Sequence, residues 1–321
     1  MNIDVNYFPG WTRKSITFTI DDGSIPNDEI FLRIVKPRGI RGTFNLHCAS
    51  YPGYTTEDFR RLYDGYEIAN HCKNHPSAVP DGFEPIFIDA VYDHETAEDG
   101  CKYFYRDPSV EGLFWTKDSR NRHGKRKFAK DEDYIRFIEE SDAELEAVFG
   151  EGSVGAFVWP YGEQKNTKVK EYLKSRDYYA IRKTGSLMDS TGFSLPADRS
   201  EWSYNCGHLE LLRAAELYEK YPDDGELKMF SFGVHSVDYV VNNRLGDLEE
   251  FAKKYGNRPE DFYYATNREI FEYADAVKCI EISDEKISNP TSIRLYIKID
   301  GERVVLDAHS EYEFCRDKFK N

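Results

Sequence analysis

The chain has 321 residues and carries 58 acidic against 43 basic side chains, a formal net charge of −15. That balance argues against a general nucleic-acid binder, which needs clustered Lys and Arg to neutralise phosphates. No apolar run approaches the roughly 18 residues that cross a bilayer, and the length suits one large α/β domain or two smaller ones. The six cysteines, at 48, 72, 101, 206, 279 and 315, include no CxxC pair and read as reduced thiols. The N-terminus, "MNIDVNYFPGWTRKS", has no apolar signal-peptide core, so the expected location is cytoplasmic, a removed leader being the alternative.

In chain order, Ser15–Ile20 ("SITFTI") predicts a strand that ends in Asp21, Asp22 and Gly23. Asp28–Val35 predicts a short helix with Ile30, Phe31, Ile34 and Val35 apolar. Thr43–Leu46 is a second strand, a helix capped by Thr55 or Thr56 runs through Tyr63, and Tyr66–Ala69 is a third strand leading into "NHCKNHPSA". Strands alternating with helices imply a parallel sheet covered by helices, or a barrel. Residues 77–130 lack clear periodicity and predict an aromatic-rich insertion, of a length that is uncommon without a function. Within it, Lys117–Lys130 ("KDSRNRHGKRKFAK") holds seven Lys or Arg and one Asp. It reads as a solvated loop or as a patch that meets an anionic part of a substrate.

Asp131–Phe149 is a helix with Tyr134, Ile135, Phe137, Ile138, Leu145 and Phe149 on its apolar stripe, ended by "GEG". The alternation then resumes. Gly155–Val158 is a strand ending in "WPYG", Lys168–Ser175 a helix, Tyr179–Arg182 a strand and Gly207–Tyr221 a helix. Met229–Val234 is a strand ending at His235, followed by a helix at Gly246–Tyr255, a strand at Phe262–Ala265 and a helix at Asn267–Val277. Beyond Val277 the pattern alternates with period two, and Asp300-Gly301 signals a hairpin. The expected division is a barrel over 1–277 and a small β appendage over 278–321 packed on it.

Three strand ends carry polar clusters: Asp21–Asp22, the His71/His75 pair, and His235. In parallel α/β architectures the C-terminal strand ends host the active site. Each cluster alone has a plain reading: a turn, a surface histidine pair, a satisfied core histidine. All three together, each ending a strand, point instead to chemistry. Histidines at i and i+4 share one face of a helical turn and can hold one ion. The zinc-protease pattern needs Glu after the first His, where Cys72 stands. With one carboxylate added, the set is two His and one carboxylate, suited to Zn²⁺ or another first-row ion with positions left for water of lowered pKa, about 7. One aspartate would ligate and the other stay beside it as a base, the cation offsetting their repulsion.

"TFTIDDG", "NHCKNHP", "WPYG" and "FGVHS" resemble, in order, the motifs of the polysaccharide deacetylases, the NodB-type carbohydrate esterases of family 4, over about residues 15–277. The resemblance implies a distorted (β/α)7 barrel, a divalent ion (Zn²⁺ first, with Co, Ni, Mn or Fe as alternatives) and an acetylated carbohydrate, N- or O-linked, as substrate. It implies Asp21 as catalytic base, Asp22, His71 and His75 as metal ligands, and His235 as general acid. Tyr161, after Pro160, would offer its backbone N–H to the oxyanion, and Trp202, in "DRSEWSYNC", would line the pocket for the acetyl methyl.

The chain departs from the family pattern in three places. Cys72 replaces the usual Ser or Thr, as a small side chain in a tight turn or as a soft ligand. "FVWPYG" has Val158 and Trp159 where many members carry an Arg that pairs with the base, leaving Arg182 or Arg199 to substitute. Asp198 or Glu201 would stand for the fourth motif's Asp. The alternatives are cyclic amide or imide hydrolysis, a glycan-binding barrel without turnover, favoured only by the missing Arg, and an iron oxygenase, disfavoured by the α/β reading.

Overall fold

The structure, a computed structural model, describes residues 1–88, 103–119, 123–162, 165–183, 192–200 and 202–314. In chain order, β1 is Ile3–Tyr7, β2 Lys14–Asp21, α1 Ile25–Val35, β3 Gly42–Leu46, α2 Thr56–Tyr63 and β4 Glu67–Asn70. Short strands follow: β5 (Ser77–Ala78), β6 (Ile86–Phe87), β7 (Tyr103–Arg106), β8 (Leu113–Lys117) and β9 (Lys125–Ala129). Then come α3 (Asp131–Phe149), β10 (Val154–Val158), α4 (Thr167–Ser175), β11 (Ala180–Arg182), α5 (Leu211–Glu219) and β12 (Lys228–His235). The chain continues with α6 (Ser236–Val241), α7 (Leu245–Tyr255), β13 (Tyr263–Tyr264) and α8 (Asn267–Lys278). It ends in β14 (Glu281–Ile282), β15 (Lys286–Asn289), β16 (Leu295–Ile299), β17 (Glu302–Leu306) and β18 (Ser310–Glu313).

Seven parallel strands form the main sheet, in the order β11-β10-β4-β3-β2-β12, with β13 also on β2. Arg199, Trp202, Asn205 and Cys206 link to the strands at its two ends. Ile181 and Lys183 donate backbone N–H to the Arg199 and Trp202 carbonyls, and Asn205 and Gly233 donate to Ser231 and Cys206. The sheet thus curls into a distorted (β/α) barrel, as the alternating strands and helices predict.

The period-two pattern of β2 explains why the barrel has a polar inside. Ile16, Phe18 and Ile20 are buried in the core cluster with Phe31, Leu248 and Phe251 of α1 and α7. Burying a side chain of this size is worth about 1.5–3 kcal/mol. The alternate residues, Thr17, Thr19 and Asp21, point to the opposite face and are also buried. They remain there because they are hydrogen-bonded: Thr17 Oγ1 to Asn267 Oδ1 at 3.2 Å, and Asn45 Nδ2 to Thr19 Oγ1 at 2.8 Å. On β3, Thr43 continues the polar face, donating to Glu67 Oε2 at 2.6 Å.

Local signals set the helix starts. Thr55–Asp58 and Thr266–Glu269 form capping boxes for α2 and α8. Asp131, Glu132 and Asp133 in the first turn of α3 complement its dipole. The helix expected over 207–221 forms only at Leu211–Glu219.

The described residues of the region 77–130 form more regular structure than the sequence suggests, residues 89–102 lying outside them. The region holds a five-stranded sheet, β5-β9-β8-β7-β6, pinned by aromatic pairs such as Tyr105 stacked on Trp115 at 4.4 Å. Residues 120–122 of the basic stretch lie outside the described residues. Near the C-terminus, Asp300 (φ 49°) and Gly301 (φ 86°) make the hairpin turn between β16 and β17, both in the left-handed region a type I′ turn needs. The N-terminal β1 pairs antiparallel with β16, so the first and last parts of the chain share the sheet β1-β16-β17. A second small sheet is β14-β15-β18. Among the described residues no helix is long and apolar enough to cross a membrane.

Candidate active site

Strand register brings the polar strand ends abreast. His235 pairs with Asp21 across β12 and β2, Asp21 with Asn45, Leu46 with Asn70, and Val158 with Arg182. The side chains that follow Asp21 and Asn70 therefore meet at one rim.

There Asp22, His71 and His75 gather, with one ligand atom from each within 4.8 Å of the others. His75 Nε2 lies 3.1 Å from His71 Nε2, and Asp22 Oδ1 lies 3.5 Å and 3.3 Å from the two rings. His71 is buried and its Nδ1–H donates to the Val158 carbonyl at 2.9 Å. That bond leaves the Nε2 lone pair facing the cluster, the arrangement by which a carbonyl fixes a ligating tautomer. Burial, and then the neighbouring His71, hold the His75 pKa well below the usual value, so its ring is neutral. Two imidazoles and a carboxylate are a donor set that fits a first-row divalent cation. Among the described residues this is the only such cluster.

The two histidines do not share a helical face. Cys72, Asn74 and His75 all take left-handed backbone (φ 57°, 66° and 53°), and His75 N–H closes a turn on the Cys72 carbonyl at 2.9 Å. Asp22 (φ 77°), Tyr161 (φ 58°) and Val234 (φ 132°), which precedes His235, are likewise positive. Six non-glycine residues in costly conformations at one rim are held there by their surroundings, a pattern that accompanies function.

Asp21 sits deeper. It is 4% exposed and accepts bonds from Arg182 Nη2 and, at 2.7 Å, from Asn45 Nδ2. Burial alone would raise its pKa, but Arg182, then His71 and His235, outweigh that and hold it below the ordinary carboxylate value. On the other side, His235 Nδ1 meets Asp238 Oδ2 at 2.8 Å and its Nε2 lies 3.5 Å from Asp22 Oδ2. Burial opposes its charge, but the bond from Asp238 and the charges of Asp22 and Asp21 raise its pKa to about 9.

A family model described as polysaccharide deacetylase matches residues 10–181, more than half of the chain. The chain belongs to the polysaccharide deacetylase family. No curated protein sequence matches it. Solved structures similar to it include the Xyl-CE4 domain of a multidomain xylanase from the hindgut metagenome of Trinervitermes trinervoides, at 15% identity and TM-score 0.45, over 82% of this chain and 92% of that one. The chitin deacetylase of Colletotrichum lindemuthianum is 13% identical, with TM-score 0.42, over 83% and 88%. A family 4 acetyl xylan esterase from Clostridium thermocellum, solved with a cobalt ion, is 14% identical, with TM-score 0.42, over 80% and 90%.

The departures from the deacetylase motifs now have structural answers. Arg182, not an arginine of the "WPYG" segment, bonds the first aspartate, whereas Arg199 pairs with Asp275 at 2.6 Å. Cys72 is fully buried with Tyr134 and Trp159, and burial pushes its thiol pKa far up, so it is packing rather than a ligand. Asp198 is exposed and bonded to Ser200, so it does not serve the site from there. Glu201 lies outside the described residues. The partner of His235 is Asp238, one turn further along the chain.

Tyr161 sets its ring against His75 at 4.6 Å, and Pro160 before it is buried. Trp202 is buried, with its ring against Phe271 at 5.4 Å. Tyr204 of the same segment sets its ring 5.2 Å from the Arg182 guanidinium. A Cβ on Gly233 would come within 2.6 Å of the same ring, so the glycine makes room for it. Asn45, Asp238 and Tyr204 were passed over in the sequence. Only Asn45 carried a signal, as an amide at the tip of the strand "TFNL".

Proposed function

We propose that the protein is a metal-dependent hydrolase that removes acetyl groups, N- or O-linked, from a carbohydrate. The observation that carries this reading is the meeting of three units at one rim: the Asp22–His71–His75 donor set, Asp21 bonded by Arg182 and Asn45, and His235 bonded by Asp238. The binding-barrel alternative rested on a missing arginine partner for Asp21, and the Arg182 bond removes that support.

Asp22, His71 and His75 hold the divalent ion, which when bound supplies Lewis acidity and lowers the pKa of water. Asp21, ionised through Arg182, accepts a proton from the attacking water. The water oxygen forms the new bond to the acetyl carbon, and the Tyr161 backbone N–H stabilises the developing oxyanion, a contribution of about 3–4 kcal/mol for one such donor. His235, protonated and oriented through Nδ1 by Asp238, gives its proton to the leaving nitrogen or oxygen as the C–N or C–O bond breaks. Acetate and the free amine or alcohol result. Acetate release from N-acetylated chitin oligosaccharides and acetylated xylan, by metal-stripped and Zn²⁺-reloaded protein, tests the reading. Release that returns with the ion supports it. No release from either glycan in the reloaded protein counts against it.

A further inference from the structure

The turn that carries the two histidines is held from outside. Cys72, Asn74 and His75 are left-handed, and no glycine stands between Asn70 and His75 to ease that conformation. The turn is instead bonded to its neighbours. His71 N–H donates to the Leu46 carbonyl at 2.9 Å, and Lys73 N–H to the Phe137 carbonyl at 3.4 Å. Lys73 Nζ reaches Glu140 at 2.8 Å and Glu144 at 2.5 Å, both on α3. Between these anchors, Cys72 N–H donates to a side chain, Asn70 Oδ1, at 2.7 Å.

Asn70 closes β4 and is fully buried, so the way its amide faces is set by what surrounds it. Its Nδ2 donates to the Ile138 carbonyl at 2.9 Å and to Asp142 Oδ1 at 2.7 Å. A carbonyl and a carboxylate accept and do not donate, which puts Nδ2 on the side of α3 and Oδ1 on the side of the turn. Asp142 is buried too, and its other oxygen accepts from Tyr178 OH at 2.6 Å and Arg176 Nη2 at 2.9 Å. We propose that Asp142 is a positioning residue for the metal site: it orients Asn70, and Asn70 holds the turn over 71–75 in the shape that brings His71 and His75 to Asp22. This rests on the reading of those three residues as ligands and adds a residue that acts on them through Asn70. A turn that must first reorganise loses affinity in proportion to the fraction that is competent to bind, so Asp142 acts on ion affinity and on ligand geometry.

The test measures Zn²⁺ affinity by chelator competition, and the visible spectrum of the Co²⁺-loaded protein, in the full chain. The variants are Asp142→Ala, Asp142→Asn, Asn70→Ala and the Asp142→Ala/Asn70→Ala double variant. Glu67→Gln is the control: Glu67 opens the same strand, is likewise buried, and accepts from Thr43 Oγ1 at 2.6 Å and Arg268 N–H at 3.1 Å, away from the turn. Asp142→Ala is expected to weaken Zn²⁺ binding by about tenfold or more and to change the Co²⁺ spectrum. Asp142→Asn, which can still accept from Asn70, falls between Asp142→Ala and the wild type. The double variant binds no more weakly than Asn70→Ala, because both act through one amide. Glu67→Gln unfolds at a lower temperature but keeps the wild-type affinity and spectrum. Wild-type affinity and spectrum in Asp142→Ala overturn the proposal, as do additive losses in the double variant or an equal loss in Glu67→Gln. If Asp142→Ala does not fold, Asp142→Asn decides in its place, since its amide no longer dictates how Asn70 faces, and an affinity within about twofold of the wild type overturns the proposal. A wild type that binds no Zn²⁺ sinks the metal-site reading and this proposal with it. Zn²⁺ binding that needs His71 and His75 but not Asp142 sinks this proposal alone. Binding that needs Asp142, in protein that releases no acetate, supports the proposal and sinks the hydrolase reading alone.

Discussion

The Asp21–Arg182 pair makes a sharp energetic test because both partners are shut away from water, at 4% and 1% exposure. In Arg182→Leu the guanidinium is gone and the carboxylate keeps only the Asn45 amide, 2.7 Å away. Breaking a buried pair from one side leaves an uncompensated charge and costs about 3–5 kcal/mol. The contact of the guanidinium with the Tyr204 ring adds about 0.5–1 kcal/mol to the loss. Adding Asp21→Asn to that variant removes the stranded charge and recovers most of the stability, a coupling of about 2–3 kcal/mol between the two sites. Turnover is not recovered, because the base is gone. Urea denaturation of the wild type, both single variants and the double variant gives the cycle, and acetate release gives the activities. An Arg182→Leu cost below about 1 kcal/mol, or a double variant no more stable than Arg182→Leu, would refute the reasoning.

Other outcomes follow from the same geometry. Asp21→Asn is expected to retain bound metal while losing turnover, and elemental analysis beside an acetate assay checks this; loss of metal would put Asp21 among the ligands. Asp238→Ala frees His235 Nδ1 and is expected to lower kcat by about a hundredfold with little change in KM, whereas a change in KM alone would give Asp238 a role in substrate binding. Asp28, buried under the rim and bonded by Ser236 Oγ at 2.5 Å and Tyr63 OH at 2.7 Å, has its pKa raised by burial from 3.8 to about 7. The folded state therefore holds this proton more tightly. Its contribution is present below pH 3.8 and is lost as pH rises through about 7. Asp28→Asn is expected to gain on the wild type by up to about 4 kcal/mol between pH 4 and pH 8, and identical pH slopes in denaturation would contradict this.

Much of the barrel was readable because its signals are local. Strands such as "SITFTI" end in polar residues, and helices begin at caps such as Thr266. The Asp21–Asp22, His71/His75 and His235 clusters were visible for the same reason: each lies at the tip of a strand. What escaped depends on distant pairing. Arg182 and Arg199 were both candidate partners of Asp21, and nothing near either in the sequence reveals that Arg182 is the one that turns toward an aspartate 161 positions earlier. β1 was missed because its partner, β16, lies at the other end of the chain. The histidine turn was misread because spacing alone cannot distinguish a helical i, i+4 pair from one made by left-handed residues. Trp202 lies in the motif-like segment with its ring against Phe271 of α8, and the contact of Tyr204, two residues on, with Arg182 depends on the bridge of that segment to β11, which spacing does not reveal.

The central claim is that Asp22, His71 and His75 hold a catalytic cation, and metal content measures it most directly. Elemental analysis of protein purified without a histidine tag, beside the His71→Ala/His75→Ala variant, should find about one first-row divalent ion per chain in the wild type and none in the variant. No bound ion in either protein after incubation with Zn²⁺, or equal amounts in both, would contradict the account.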